Sequence, residues 1–132
     1  MLYTKSIIKP KFPEEELRIS VMSRHTLDDG ITPDERILNS DCYDSWFKVL
    51  APPEKLVGAF YRGELKREEY NKKYLGYLRT FHVAKVVKKI ACLARRINIT
   101  VECIEEDADN CHRSIFAKEC RRYYSDLEIK HL

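Results

Sequence analysis

The chain has no apolar run close to the ~20 residues that a membrane-spanning helix requires. Its opening, Met1-Leu2-Tyr3-Thr4-Lys5, lacks the apolar stretch and cleavage pattern of a secretory signal. Both absences lead us to expect a cytoplasmic protein without membrane association. Charge of one sign is also scarce. The 24 basic and 21 acidic residues leave a net charge of +3, too small to argue for non-specific binding to nucleic acid. Internal repeats and low-complexity tracts are missing, as is a thioredoxin-like Cys-x-x-Cys. The five cysteines (Cys42, Cys92, Cys103, Cys111 and Cys120) are odd in number and scattered. Reduced thiols are therefore expected rather than a disulfide framework.

What is present suits one ordinary domain. At 132 residues, 44% of them apolar, the chain can bury about two-thirds of its unfolded surface. Leu2 to Lys9 reads as a first strand stopping before Pro10. Leu17 to Ser23 alternates Leu17, Ile19 and Val21 against polar neighbours, the period of a second strand. Asp28-Asp29-Gly30 and Thr32-Pro33-Asp34 are turn chemistry, so Arg24 to Ser40 is expected to be a long surface loop. Asp41 is positioned to cap a short helix bearing Tyr43, Trp46, Phe47 and Leu50, ended by Pro52 and Pro53. Further helices are predicted over Glu54 to Arg62, closed by Gly63, and over Lys66 to Leu78 with its tyrosine stripe. Another is predicted over Phe81 to Ile97, whose Val83, Val86, Val87, Ile90, Leu93, Ala94 and Ile97 share a face. Ile99 to Ile104 follows as a strand, then a helix led by Cys111, then a strand at Leu127 to Leu132. A strand, helix, strand order needs a crossover between parallel neighbours. The expected architecture is α/β: a single three-layer domain, with a mostly parallel sheet of about four or five strands covered by helices.

The stretch from Asn98 to Tyr124 holds the candidate site. A β-branched run ends at Cys103, an acidic loop follows, and Asp109 or Asn110 can cap a helix whose first turn carries Cys111, His112, Arg113 and Ser114. Open α/β sheets bind ligands at such strand ends. A thiol in a first turn beside a histidine is a candidate nucleophile, because the helix end favours the thiolate. His112 is an acid/base candidate with an ordinary pKa near neutrality, and Arg113 offers a planar fork for an anion. If the second strand and the Ile99 strand are parallel neighbours, Arg24 and His25 face the Cys103 loop. The bland alternative makes Cys111 a small core residue, His112 an exposed polar one and Arg113 a solvated charge. The stripe of Tyr70, Tyr74 and Tyr77, with Trp46, reads as core rather than a base-stacking platform.

Spacing removes some chemistries. A phosphatase loop needs arginine after Cys plus five residues, and the residue there after Cys103 is Asp109. Structural zinc sites use cysteines two to four residues apart, in pairs. Cys103 and Cys111 are eight apart, and helical Cys111 and His112 would diverge by ~100°. Zinc held by Cys103, one of Cys111 and His112, and a distant Cys42 or His25 is the weaker alternative, and no metal is expected. Glu102, Glu105, Glu106, Asp107 and Asp109 place negative charge near any bound anion.

Cys103-Ile104-Glu105, followed by Cys111-His112-Arg113, resembles the Cys-x-Glu and Cys-His-Arg signature of the family catalogued as domain of unknown function 488. The opening Leu2-Tyr3-Thr4, Ile19-Ser20-Val21 with Arg24, and Leu50-Ala51-Pro52 resemble that family's other segments in order. Tyr70 with Tyr74-Leu75 does so as well. The resemblance implies a compact cytosolic α/β domain in which Cys103, Glu105, Cys111, His112, Arg113 and Arg24 belong to one site. The chain departs from the pattern in its Arg24 to Ser40 loop and in Glu106, where a lysine is usual.

Two functions fit these residues. In the first, an enzyme or ligand-dependent protein acts on a small anionic or nucleotide-like molecule, with Cys111 or Cys103 as nucleophile, His112 as acid/base, and Arg113, Arg24, Glu105 and Ser114 binding the ligand. In the second, a non-enzymatic interaction protein uses Cys-His-Arg as a structural junction, Arg113 pairing with Glu105. The residues name no cofactor.

Overall fold

The computed structural model describes residues 1–37, 40–105 and 111–132. Five strands, β1 (Leu2–Ser6), β2 (Leu17–Ser20), β3 (Ser45–Trp46), β4 (Ile99–Cys103) and β5 (Ile129–His131), form one sheet in the order β3-β2-β4-β1-β5. Every pairing is parallel. β4 lies at the centre, with Leu2 to Ser6 opposite Ile99 to Cys103 on one side and Leu17 to Ser20 opposite Ile99 to Glu102 on the other. All five residues of β1 and of β4 are buried, as expected for strands covered on both faces.

One face carries the helices α1 (Glu54–Tyr61), α2 (Arg67–Leu78), α3 (Phe81–Ala94) and α4 (His112–Tyr123). Gly63, at φ +76°, follows α1 in the left-handed conformation that glycine adopts without penalty. Val83, Val87, Ile90, Ala91 and Ala94 of α3 are buried. They join Tyr74, Leu78, Phe116 and Ala117 against Leu2, Ile19, Ile99 and Val101 of the sheet. Each such aliphatic side chain contributes roughly 1.5–3 kcal/mol by leaving water. The buried Tyr74 hydroxyl donates to the Leu50 carbonyl at 2.6 Å, so the aromatic contribution is not cancelled by an unmet polar group.

The opposite face is polar and is covered by connections rather than by α-helix. Lys5 of β1 pairs with Glu15 at 2.7 Å and lies 3.6 Å from Glu102 of β4. Arg18 of β2 holds Asp44 through two nitrogens. Tyr3 meets Phe12 edge-on at 5.0 Å. Burial raises the Glu102 carboxyl to about 8, with Lys5 opposing the rise.

Two stretches differ from the sequence expectation. Tyr43 to Leu50 is not a helix. Ser45–Trp46 pairs with Ile19 and Ser20 as an edge strand between short 3-10 turns. Two residues are too few for a period to register, and the pairing partner rather than the local pattern decides. The Arg24 to Ser40 segment is more than surface loop. Thr26 bridges to Pro33, Glu35–Ile37 forms a 3-10 turn, and Ile37 is buried with Ile7, Met22, Cys103 and Cys111.

Candidate functional site

β4 ends at Cys103 and α4 begins at His112, with Cys111 as its N-terminal cap residue. Cys111 is extended (φ −133°, ψ 143°) rather than helical. The ~100° divergence expected of helical neighbours therefore does not arise. The Cys111 sulfur and Nδ1 of His112 approach to 3.9 Å. A donor atom from each of Cys103, Cys111 and His112 falls within 4.8 Å of the others. This corrects the expectation that Cys111 and His112 cannot share one centre. The caps expected from Asp109 or Asn110, and the acids Glu106 and Asp107, lie outside the described residues.

Cys103 and Cys111 are joined through their sulfurs, with Cα atoms 7.3 Å apart. This pair departs from the expectation of reduced thiols, while Cys42, Cys92 and Cys120 are in no disulfide. Packing of β4 against the start of α4 brings the two sulfurs together, something an eight-residue spacing does not reveal.

Because β2 and β4 are parallel neighbours, their C-terminal ends open together. A cavity of about 460 Å³ lies there. Arg24, Cys103, Glu105 and His112 all line it, and Met22, Val57, Tyr61 and Tyr70 supply apolar and aromatic wall. Arg24 makes no hydrogen bond or ion pair among the described residues, and its guanidinium lies over Gly30, in the space a Cβ would take. Arg36 is already held by Asp34 at 2.7 Å, and Asp29 by Thr32 and the Ile31 amide. Asp28 also lines the space.

His112 is fixed by its ring. Nε2 lies 2.7 Å from the Val21 carbonyl, which only accepts, so Nε2 carries the hydrogen and Nδ1 presents a lone pair toward the sulfurs. Burial depresses the imidazole to about 4, the Val21 bond opposes, and the Arg113 and Arg67 charges add to the depression. His112 is thus neutral near pH 7, and the same burial makes it a weak base, which argues against the acid/base role its ordinary pKa suggests. Burial likewise raises the Glu105 carboxyl, against the charges of Arg67 and Arg113. The Cys103 sulfur lies 3.4 Å from Glu105 Oε2.

The remaining sequence candidates sit behind the cavity. Arg113 is fully buried. Its Nη1 donates to the Cys103 sulfur at 3.0 Å and to the Glu105 carbonyl oxygen. It meets Glu105 through backbone rather than carboxylate, and it does not line the cavity. Ser114 donates to the Cys111 carbonyl at 2.9 Å and is likewise absent from the lining. His25 does not turn to the Cys103 loop. It meets Ser20 at 2.8 Å and stacks on Trp46 at 3.9 Å. Tyr70 is buried, as expected of the tyrosine stripe, and also lines the cavity beside Tyr61, whereas Trp46, expected in the core, is exposed. The fold of α1 against α2 places the two tyrosines at the cavity, and no periodicity signals it.

Among the described residues, a five-stranded parallel sheet with four α-helices, and Cys, His and Arg side chains gathered where its central strands end, defines an α/β protein. The chain belongs to the family whose model is described as the active DUF488-N3 subclade, which matches residues 2–123. No curated protein and no solved structure matches the chain. Among the described residues, no helix is long and apolar enough to cross a membrane.

Proposed function

We infer that the protein is an enzyme acting on a small molecule with a ring or apolar part and one anionic group, of nucleotide-like size and character. The observation that carries this reading is the cavity of about 460 Å³ on which Arg24, Cys103, Glu105 and His112 converge from separate parts of the chain. Its volume lies in the range of small-molecule sites. Arg24 is the cation available to the anionic group, and Tyr61, Tyr70 and Val57 flank the remainder. Cys103, once reduced, is the nucleophile, and the Nδ1 lone pair of neutral His112 stands beside the sulfurs as a hydrogen-bond acceptor. Arg113 acts on the sulfur rather than on the ligand, since its hydrogen bond favours the thiolate. The description of the family as active is in keeping with this assignment. Peptide-mapped alkylation of the reduced protein with iodoacetate and iodoacetamide tests it. Arg24→Gln lowers the preference of Cys103 for the anionic reagent if the reading is right.

The buried Arg113, bonded to the Cys103 sulfur and the Glu105 carbonyl, favours a second reading. In it the cluster is a structural junction of a binding protein without catalysis. Cys103 would then react no faster than a free thiol with either reagent.

A further inference from the structure

We propose that the reduced chain binds one soft divalent cation of the zinc class through the sulfurs of Cys103 and Cys111 and Nδ1 of His112, leaving a fourth position toward the cavity. The assignment stands on donor geometry and does not require the organic ligand argued for above. Three donors of the type zinc prefers lie within 4.8 Å of one another. The Cys111 sulfur to Nδ1 separation of 3.9 Å is a few tenths of an ångström beyond the roughly 3.5 Å edge of a tetrahedron with bonds of about 2.0–2.3 Å, a gap that small side-chain rotation closes. The Cα atoms of the two cysteines are 7.3 Å apart, wider than the roughly 4.4–6.8 Å that disulfides usually span. That separation suits two thiolates sharing a metal, whose sulfurs stand about 3.8 Å apart at bonds of ~2.3 Å.

The surroundings are those of a metal ligand set. The Nε2 hydrogen of His112 is held by the Val21 carbonyl at 2.7 Å, the kind of outer bond that fixes a ligating imidazole. The Arg113 Nη1 hydrogen bond to the Cys103 sulfur, 3.0 Å, offsets the second thiolate charge. Cys103 and His112 line the cavity while Cys111 does not, so the open coordination position faces the space where a ligand enters. Glu105, its Oε2 3.4 Å from the Cys103 sulfur, is a carboxylate within reach of that position. Three protein ligands with an open fourth place are the pattern of a catalytic rather than a structural zinc. The joined sulfurs and the metal exclude one another, because a disulfide lacks the two thiolate charges. Reduction by a phosphine in water breaks the S–S bond, adds two electrons and two protons, and yields the phosphine oxide. Metal binding then releases the two thiol protons.

Cobalt(II) added to the phosphine-reduced protein under anaerobic conditions tests the proposal. The expected result is one cobalt per chain, with sulfur-to-cobalt charge-transfer absorption and the intense visible bands of tetrahedral cobalt. Zinc(II) added afterwards abolishes both. Cys103→Ser and Cys111→Ser lose most of the charge-transfer intensity, His112→Gln shifts the visible bands, and Cys42→Ser changes nothing. Should a serine variant fail to fold, the wild type decides alone. Zinc(II) must then slow alkylation of Cys103 and Cys111 at least tenfold while leaving Cys42 and Cys92 labelled at the same rate. Absence of charge-transfer bands, or equal protection of all cysteines, overturns the proposal. The Arg24→Gln alkylation comparison is made without metal, so failure here leaves the anion reading to be judged separately.

Discussion

Arg113→Ala probes the most deeply buried charge at the junction. The side chain has no solvent exposure and donates to the Cys103 sulfur and the Glu105 carbonyl. Hydrogen bonds from a charged donor are worth about 1.5–3 kcal/mol each. Truncation leaves the acceptors facing a void, so the loss should be about 3–5 kcal/mol. An unfolding entropy of about 2.1 cal/mol/K per residue over 132 residues converts this to a fall of roughly 11–18 °C in melting temperature. Urea titration at pH 7 followed by circular dichroism gives the free energy directly, and wild type and variant are compared in the same redox state. Arg113→Met, which restores most of the volume but none of the donors, should recover about 1–2 kcal/mol of the loss. A loss under ~0.5 kcal/mol for Arg113→Ala, typical of surface substitutions, would refute the claim that this arginine organises the junction.

Two further outcomes follow from other parts of the molecule. The Glu102 carboxyl is raised by burial from 4.5 to about 8. Its contribution to stability is therefore complete below its unfolded value of 4.5 and is lost as pH rises through 8. Glu102→Gln should gain on wild type by a few kcal/mol across that window, since Lys5 keeps Glu15 at 2.7 Å, and a flat difference curve would contradict the assignment. Gly30→Ala would place a Cβ 2.2 Å from Nη1 of Arg24 at φ +73°. It should cost about 1–2 kcal/mol in backbone strain, displace the guanidinium, and reproduce the alkylation pattern of Arg24→Gln. Labelling identical to wild type would separate Arg24 from the cavity.

The sheet was legible wherever a strand or helix was long enough to show its period. The strand expected over Leu17 to Ser23 formed over Leu17–Ser20. The stripe of α3 is buried at Val83, Val87, Ile90 and Ala94 but exposed at Leu93, and the crossover rule foresaw the parallel neighbours. β3 was not legible, because Ser45–Trp46 is strand only through its partners on β2. At the site, the residues named from the motif did gather around one junction, but their division of labour came from burial. Arg24, partly exposed, lines the cavity, whereas Arg113 is buried and absent from its lining. Cys111 illustrates the limit most clearly. Helical geometry would aim it away from His112, while one extended residue at the cap turns both toward Cys103. Local pattern cannot register a single φ/ψ change of that kind.

The central claim is that Cys103 is a reactive thiol in a cavity that recognises negative charge through Arg24. The relative rate of iodoacetate and iodoacetamide modification at reduced Cys103, read peptide by peptide near neutral pH, measures it most directly. Cys103 should outpace a free model thiol, and Arg24→Gln should lower the iodoacetate-to-iodoacetamide ratio by roughly tenfold, the equivalent of about 1.4 kcal/mol. Iodoacetamide reactivity should be nearly unchanged in the variant. A Cys103 no faster than the model thiol, with a ratio indifferent to Arg24, would contradict it.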